Sequence, residues 1–161
     1  MQKRCILCAD PDPELRSNLG FLLAGENCVL EEAAGGATLL TQLRRSTDLV
    51  ILPQQLPDMS GFDACTALRR QSAAPVLFLL EKADESAKTL SFSVGGDDCL
   101  EKPVSCHELA VRVKALLRRY CVYGARPTGL ERRLQCGGLE VDTAAGTVWQ
   151  EGREVPLTEL E

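Results

Sequence analysis

Five short apolar runs, each followed by a stretch with apolar residues at helical spacing, leave this chain few ways to fold. The clearest case lies between Asp48 and Asp63, DLVILPQQLPDMSGFD. Leu49-Val50-Ile51-Leu52 has the length and unbroken apolar character of a strand buried on both faces of a parallel sheet. Pro53 is expected to stop it, and a turn-rich segment with Pro57, Asp58, Ser60 and Gly61 leads into an amphipathic helix over residues 62–70. The loop thus leaves the carboxyl end of a strand, where open α/β folds place their ligands.

The same alternation runs along the first 120 residues. Strands are expected at 4–9, 28–32, 75–80 and 98–101, and helices at 13–24, 36–45, 84–94 and 105–120. Asp12 is placed to cap the first helix, with Pro13 at the favoured first helical position, and Gly95 with Gly96 ends the helix at 84–94. Strands alternating with helices build a doubly wound α/β sheet of five parallel strands. The flavodoxin-like order 2-1-3-4-5 is the natural choice.

Charge and cysteine usage narrow the function classes. With 161 residues and a net charge of −5, this segment is a poor main contact for nucleic acid, which needs a concentrated positive face. The eight cysteines, with no leader-like amino terminus in MQKRCILCAD, read as reduced, mostly buried thiols of a cytoplasmic protein, and no run is long enough to span a membrane. Cys5 and Cys8 form a CxxC within the first strand, where residues three apart point to opposite faces, so a shared metal ion is not expected. The turn after that strand, Ala9-Asp10-Pro11-Asp12-Pro13, lacks the glycines of a dinucleotide fingerprint or P-loop. No serine, cysteine or histidine sits in a nucleophile-base pattern, His107 reads as a surface residue, and no enzyme activity is expected.

Several separate stretches resemble one family. DLVILPQQLPDMSGFD, the acidic turn at Asp10, Gly95-Gly96-Asp97-Asp98, Leu100-Glu101-Lys102-Pro103 and the helix Glu108 to Arg119 resemble bacterial response-regulator receiver domains of the OmpR/PhoB branch. In that family Mg²⁺ is held by the second member of an acidic pair, by a phosphate-accepting Asp directly after the third strand and by a backbone carbonyl two residues beyond it. By this resemblance Asp10 keeps the first acidic place, Pro11 fills the second, and Pro53 stands at the acceptor. Leu80 occupies the place of a hydroxyl that grips the phosphoryl group, and Cys99 that of an aromatic switch residue. Proline offers neither carboxylate nor nucleophile, so phosphorylation is expected to be lost and Mg²⁺ binding to be weak or absent. Lys102 and Asp10 then either form a neutral pair, free of the crowding that raises the pKa of neighbouring carboxylates, or Lys102 only shapes the Lys-Pro loop. Asp58 and Asp63 read as turn and capping groups rather than substitute acceptors.

The resemblance also implies a homodimer through the fourth helix, fifth strand and fifth helix, with pairs Lys88–Glu108, Asp98–Arg112 and Asp97–Arg119. Glu108, Arg112 and Arg119 share one helical face, and a two-fold axis would use each pair twice; the bland alternative is a set of ordinary solvated charges.

After a receiver at 1–120 and a glycine- and proline-containing linker at 121–133, residues 134–161 carry short β-like pieces separated by turns. They resemble the amino-terminal antiparallel sheet of a winged-helix DNA-binding domain, whose recognition helix is not in the chain, as though the chain were truncated. A non-enzymatic DNA-binding transcriptional regulator that dimerises without phosphate is the first reading. A sensor of thiol oxidation through Cys99 or Cys106, or a protein-docking module, is the alternative.

Overall fold

The computed structural model describes residues 3–123 together with the strand segments 133–136, 139–142, 147–150 and 153–155. The chain divides into two units, Met1–Tyr123 and Gly124–Glu161.

In the first unit β1 (Arg4–Cys8), β2 (Cys28–Glu32), β3 (Thr47–Pro53), β4 (Val76–Leu80) and β5 (Asp98–Glu101) alternate with α1 (Pro13–Ala24), α2 (Gly36–Gln42), α3 (Gly61–Arg69), α4 (Glu85–Ser93) and α5 (Cys106–Arg118). All neighbouring strands are parallel, in the order β2-β1-β3-β4-β5. This is the expected doubly wound, flavodoxin-like sheet.

Alternation along the strands divides the core in two. Ile6, Cys8, Leu49, Ile51, Leu77 and Leu79 face α1 and α5, meeting Leu15, Leu19, Leu109 and Val113. Leu7, Val50, Leu52, Val76, Phe78 and Leu80 face the other side, against Leu39, Ala64 and Leu68 of α2 and α3. Each of these leucines stabilises the fold by roughly 1.5–3 kcal/mol through burial, which is why β3 and β4 read as unbroken apolar runs. Helix α4 is different: Ser91 is its one buried residue, and Ala87 only partly packs on the core.

Local chemistry sets the helix starts. The Asp12 carboxylate accepts the N–H groups of Glu14 and Leu15, Ser60 caps α3, Asp84 caps α4 and Ser105 caps α5. Gly95, at φ 104°, follows α4 in the left-handed region, where any Cβ would also meet the Arg69 side chain.

Among the differences from the expected boundaries, three bear on the packing. Helix α2 stops at Gln42 rather than 45 because Thr47 Oγ1 accepts the Arg44 N–H at 3.1 Å while its own N–H donates to Arg44 O at 3.0 Å, a local pairing that competes with the helix. Strand β3 runs through Pro53 instead of stopping before it. Gln54 N–H donates to Leu79 O on β4 at 2.9 Å, so the alternation of strand N–H groups turns the Pro53 nitrogen towards β1. There the last registered pair is Cys8↔Ile51, and a missing N–H costs the β4 ladder nothing. Finally, α5 passes at Arg119 into one wide helical turn ending at Tyr123.

The second unit holds β6 (Arg133–Cys136), β7 (Leu139–Asp142), β8 (Thr147–Gln150) and β9 (Arg153–Val155), antiparallel in sequential order. The turns between them and residues 156–161 lie outside the described residues. No described helix is long and apolar enough to cross a membrane.

Candidate functional site

The carboxyl ends of β1, β3, β4 and β5 meet around Asp10. Strand β1 ends at Cys8, and Ala9 N–H still reaches Ile51 O at 3.1 Å, so Asp10 emerges beside β3 and is fully buried. Its Oδ1 accepts the Asp12 N–H at 2.9 Å, and its Oδ2 lies 2.8 Å from Lys102 Nζ. Arg16 Nη1 donates to the Asp10 carbonyl at 2.6 Å and its Nε to Glu32 at 2.6 Å, fixing the turn from α1. Burial opposes the charge on Lys102, but the hydrogen bond and attraction of Asp10, helped by Glu81 at 3.6 Å, outweigh it and raise the lysine pKa. Of the two roles open to Lys102, the geometry contains the ion pair. The Lys102–Pro103 peptide bond is cis.

Pro11 is exposed at the rim, whereas Pro53 is buried at the end of β3, level with Leu79 of β4. Immediately beyond, α3 begins so close that a Cβ on Gly61 would lie 1.8 Å from Pro53 O, an approach open only to glycine. Leu80 is fully buried in the core behind the site, and Cys99, half-buried, packs against the same cluster. Magnesium favours octahedral oxygen ligation with one or two carboxylates and several waters. The single inward carboxylate here is shut off from solvent, one oxygen taken by an N–H and the other by an ammonium, and this donor set does not fit the ion. Among the described residues no group of three His, Cys, Asp or Glu is arranged to hold a metal.

The other singled-out residues have plain positions. Asp58 accepts the N–H groups of Gly36 and Ala37, both at 2.8 Å, so its carboxylate caps α2 across 22 residues; those amides, Ala37 first, hold its pKa below the usual carboxylate value. Asp63 is exposed in the first turn of α3 and His107 in that of α5. Cys5 and Cys8 lie on one strand with their thiols pushed up to about 11 and about 12, chiefly by burial. Cys106 is the first residue of α5 and half-buried.

On the α4–β5–α5 side, Lys88, Glu108, Arg112 and Arg119 are exposed. Arg112 Nη1 lies 3.2 Å from Asp98 Oδ2 within the same chain. Asp97 is turned inwards: its Oδ2 accepts Arg69 Nη2 at 2.9 Å and Val76 N–H at 2.8 Å, and its Oδ1 accepts the Tyr120 hydroxyl. Arg69 also donates to Gly95 O and Ala74 O. Sequence reasoning gave no role to Arg69, Tyr120, Gln54 or Glu81. Arg69 and Asp97 are 28 residues apart, and no local pattern joins them.

The family model described as "Response regulator receiver domain" matches residues 6–114. The uncharacterized transcriptional regulatory protein YrkP of Bacillus subtilis is 35% identical over 156 residues, covering 97% of this chain and 68% of its own length. The DNA-binding response regulator MtrA of Mycolicibacterium smegmatis is 36% identical over 157 residues, with 97% and 66% covered. This chain therefore spans about two thirds of these relatives. Among solved structures, the response regulator DrrB of Thermotoga maritima, an OmpR/PhoB homologue, superimposes with a TM-score of 0.65 at 22% identity, over 97% of this chain and 67% of DrrB. With the sheet order, the buried Asp10–Lys102 pair and the family match in agreement, the chain belongs to the response regulators, as a receiver domain of the OmpR/PhoB type.

Proposed function

We infer that this chain is a transcriptional regulator whose receiver works in the cytoplasm without an aspartyl phosphate and without Mg²⁺, by forming a homodimer through α4, β5 and α5. The observation that carries the reading is Pro53 at the end of β3, between strands whose ends hold Asp10 and Leu79. A pyrrolidine ring there has no oxygen to accept a phosphoryl group. The closed Asp10–Lys102 pair at 2.8 Å and the buried Leu80 support it, because cation and cavity are already engaged.

For the dimer, Lys88, Glu108 and Arg112 offer charges of both signs, and Leu90, Phe92 and Val111 on α4 and α5 leave 44%, 49% and 51% of their surface exposed. Apolar side chains ringed by charge suit a contact between copies. Asp98 and Arg112 would exchange their internal pairing for the same pairing across the two-fold axis. Asp97 already has Arg69 and Tyr120 as partners, so Lys88–Glu108 and Asp98–Arg112 are the pairs on which the interface depends. DNA binding enters by similarity to relatives such as MtrA, with β6 to β9 opening a winged-helix domain that positions paired half-sites.

Light scattering of the full chain across concentration, with and without Mg²⁺ and beryllofluoride, tests the reading. A dimer indifferent to both, broken by Arg112→Glu, is expected. A monomer that dimerises only with the mimic would overturn it.

A further inference from the structure

With no phosphoryl group or metal to join them, the loops after β3, β4 and β5 need another tie, and a chain of side chains crosses them. Gln54 is fixed by its backbone, its N–H donating to Leu79 O at 2.9 Å and its carbonyl accepting the Gly61 N–H at 3.0 Å. From there its Oε1 accepts the N–H of Glu81, the first residue after β4, at 3.1 Å. The Glu81 carboxylate lies 3.6 Å from Lys102 Nζ, which also holds Asp10, and the Lys102 N–H returns to Leu80 O at 2.8 Å. Gln54, Glu81, Lys102 and Asp10 thus link the ends of β3, β4, β5 and β1 in one continuous path.

Helix α4 is the element this path controls. Only residues 81–84 separate β4 from α4, and Asp84, the last of them, caps the helix by accepting the Ala87 N–H at 2.8 Å. With Ser91 as its sole buried residue, α4 has little core packing to set its position, and weakly packed elements are those most ready to open locally. We propose that Gln54 and Glu81 form an internal strap that fixes the β4–α4 loop, and with it the α4 face, in one arrangement without any ligand. The role of the strap rests on the phosphate-independent reading, but its existence is measured separately.

Hydrogen–deuterium exchange on the full chain tests it, comparing wild type with Gln54→Met, which keeps the bulk and removes the acceptor, and Glu81→Gln, which removes the charge facing Lys102. Amides of residues 82–94 are expected to exchange about two- to fivefold faster in Gln54→Met, the effect of losing one net hydrogen bond, while β1 and β3 amides keep their wild-type rates. Gln54→Glu, which retains an acceptor oxygen, should restore protection. Unchanged exchange at 82–94 in both disruptive variants, or an equal rise in β1 and β3, would overturn the strap. A second arm adds Mg²⁺ and beryllofluoride to wild type: slower exchange at 82–94 there would overturn the phosphate-independent reading, whereas the variants alone decide the strap.

Discussion

Replacing Lys102 by Met removes the cation from a fully buried carboxylate and leaves the shape of the side chain nearly intact. At 2.8 Å and an effective dielectric near 20, the attraction between Lys102 and Asp10 is roughly 6 kcal/mol. Much of that offsets the cost of taking both charges out of water, so the pair adds little over an apolar replacement of both. Truncating one partner is different, because the buried Asp10 carboxyl would be left with only the Asp12 N–H to meet it. Breaking a buried pair in this way costs about 3–5 kcal/mol. Lys102 retains 18% side-chain exposure, which points to the lower end, about 3 kcal/mol. Urea unfolding followed by far-UV circular dichroism is the assay, since Trp149, the single tryptophan, belongs to β8 and would report on the other unit. A midpoint lower by about 2 M urea is expected for a typical slope, and the double variant Asp10→Asn with Lys102→Met should recover more than half of the loss. The folded-state pKa of Lys102 is raised above 10.5, so the ion pair's contribution is complete below the unfolded-state value. It disappears only as pH climbs through the higher folded value, and the gap between wild type and variant should therefore be constant through neutral pH and close above about 10.5. A loss under about 1 kcal/mol would refute the reasoning, since it would mean that water reaches Asp10.

Other perturbations probe other contacts. Gly61→Ala drives a Cβ to 1.8 Å from Pro53 O, and the backbone shift it forces should cost about 3 kcal/mol, at the top of the overpacking range; a variant of wild-type melting temperature would contradict the register at the end of β3. Asp58 has a depressed pKa, so its capping of α2 is complete above 3.8 and is lost as pH falls through the lower folded value. Asp58→Asn should consequently flatten the acid-unfolding limb below that pH, and an acid titration identical to wild type would show the cap to be inert. Burial pushes Cys5 and Cys8 up to about 11 and about 12 and raises Cys28 and Cys65, so these four thiols should resist an aromatic disulfide reagent at neutral pH until urea is added. Rapid native labelling of Cys8, identified by mass spectrometry, would count against the packing of β1.

Much of the first unit is legible because its signals are local. α1 spans Pro13–Ala24, β2 spans Cys28–Glu32 and β5 spans Asp98–Glu101, as expected from a cap, a proline, and apolar runs bounded by turn residues. Pro53 is legible too, since its chemistry follows from its identity and its place after an apolar run. The end of α2 is not, because the competing Arg44–Thr47 pairing shows no stronger pattern than many surface threonines. Asp97 misleads a linear reading: beside Asp98 it looks like a surface charge, yet Arg69 and Val76, brought in from α3 and β4, turn it inwards.

Periodicity and residue chemistry by themselves determined that this chain is a doubly wound parallel sheet with a proline at the mouth of its central strand, since burial alternation and helix caps act over a few residues. Only the tertiary structure decided which charges meet. Hydrogen bonds and ion pairs such as Gln54 to Glu81, Lys102 to Asp10 and Arg69 to Asp97 join side chains from different strands and helices, and their distances follow from how the sheet twists and the loops close rather than from any spacing along the chain.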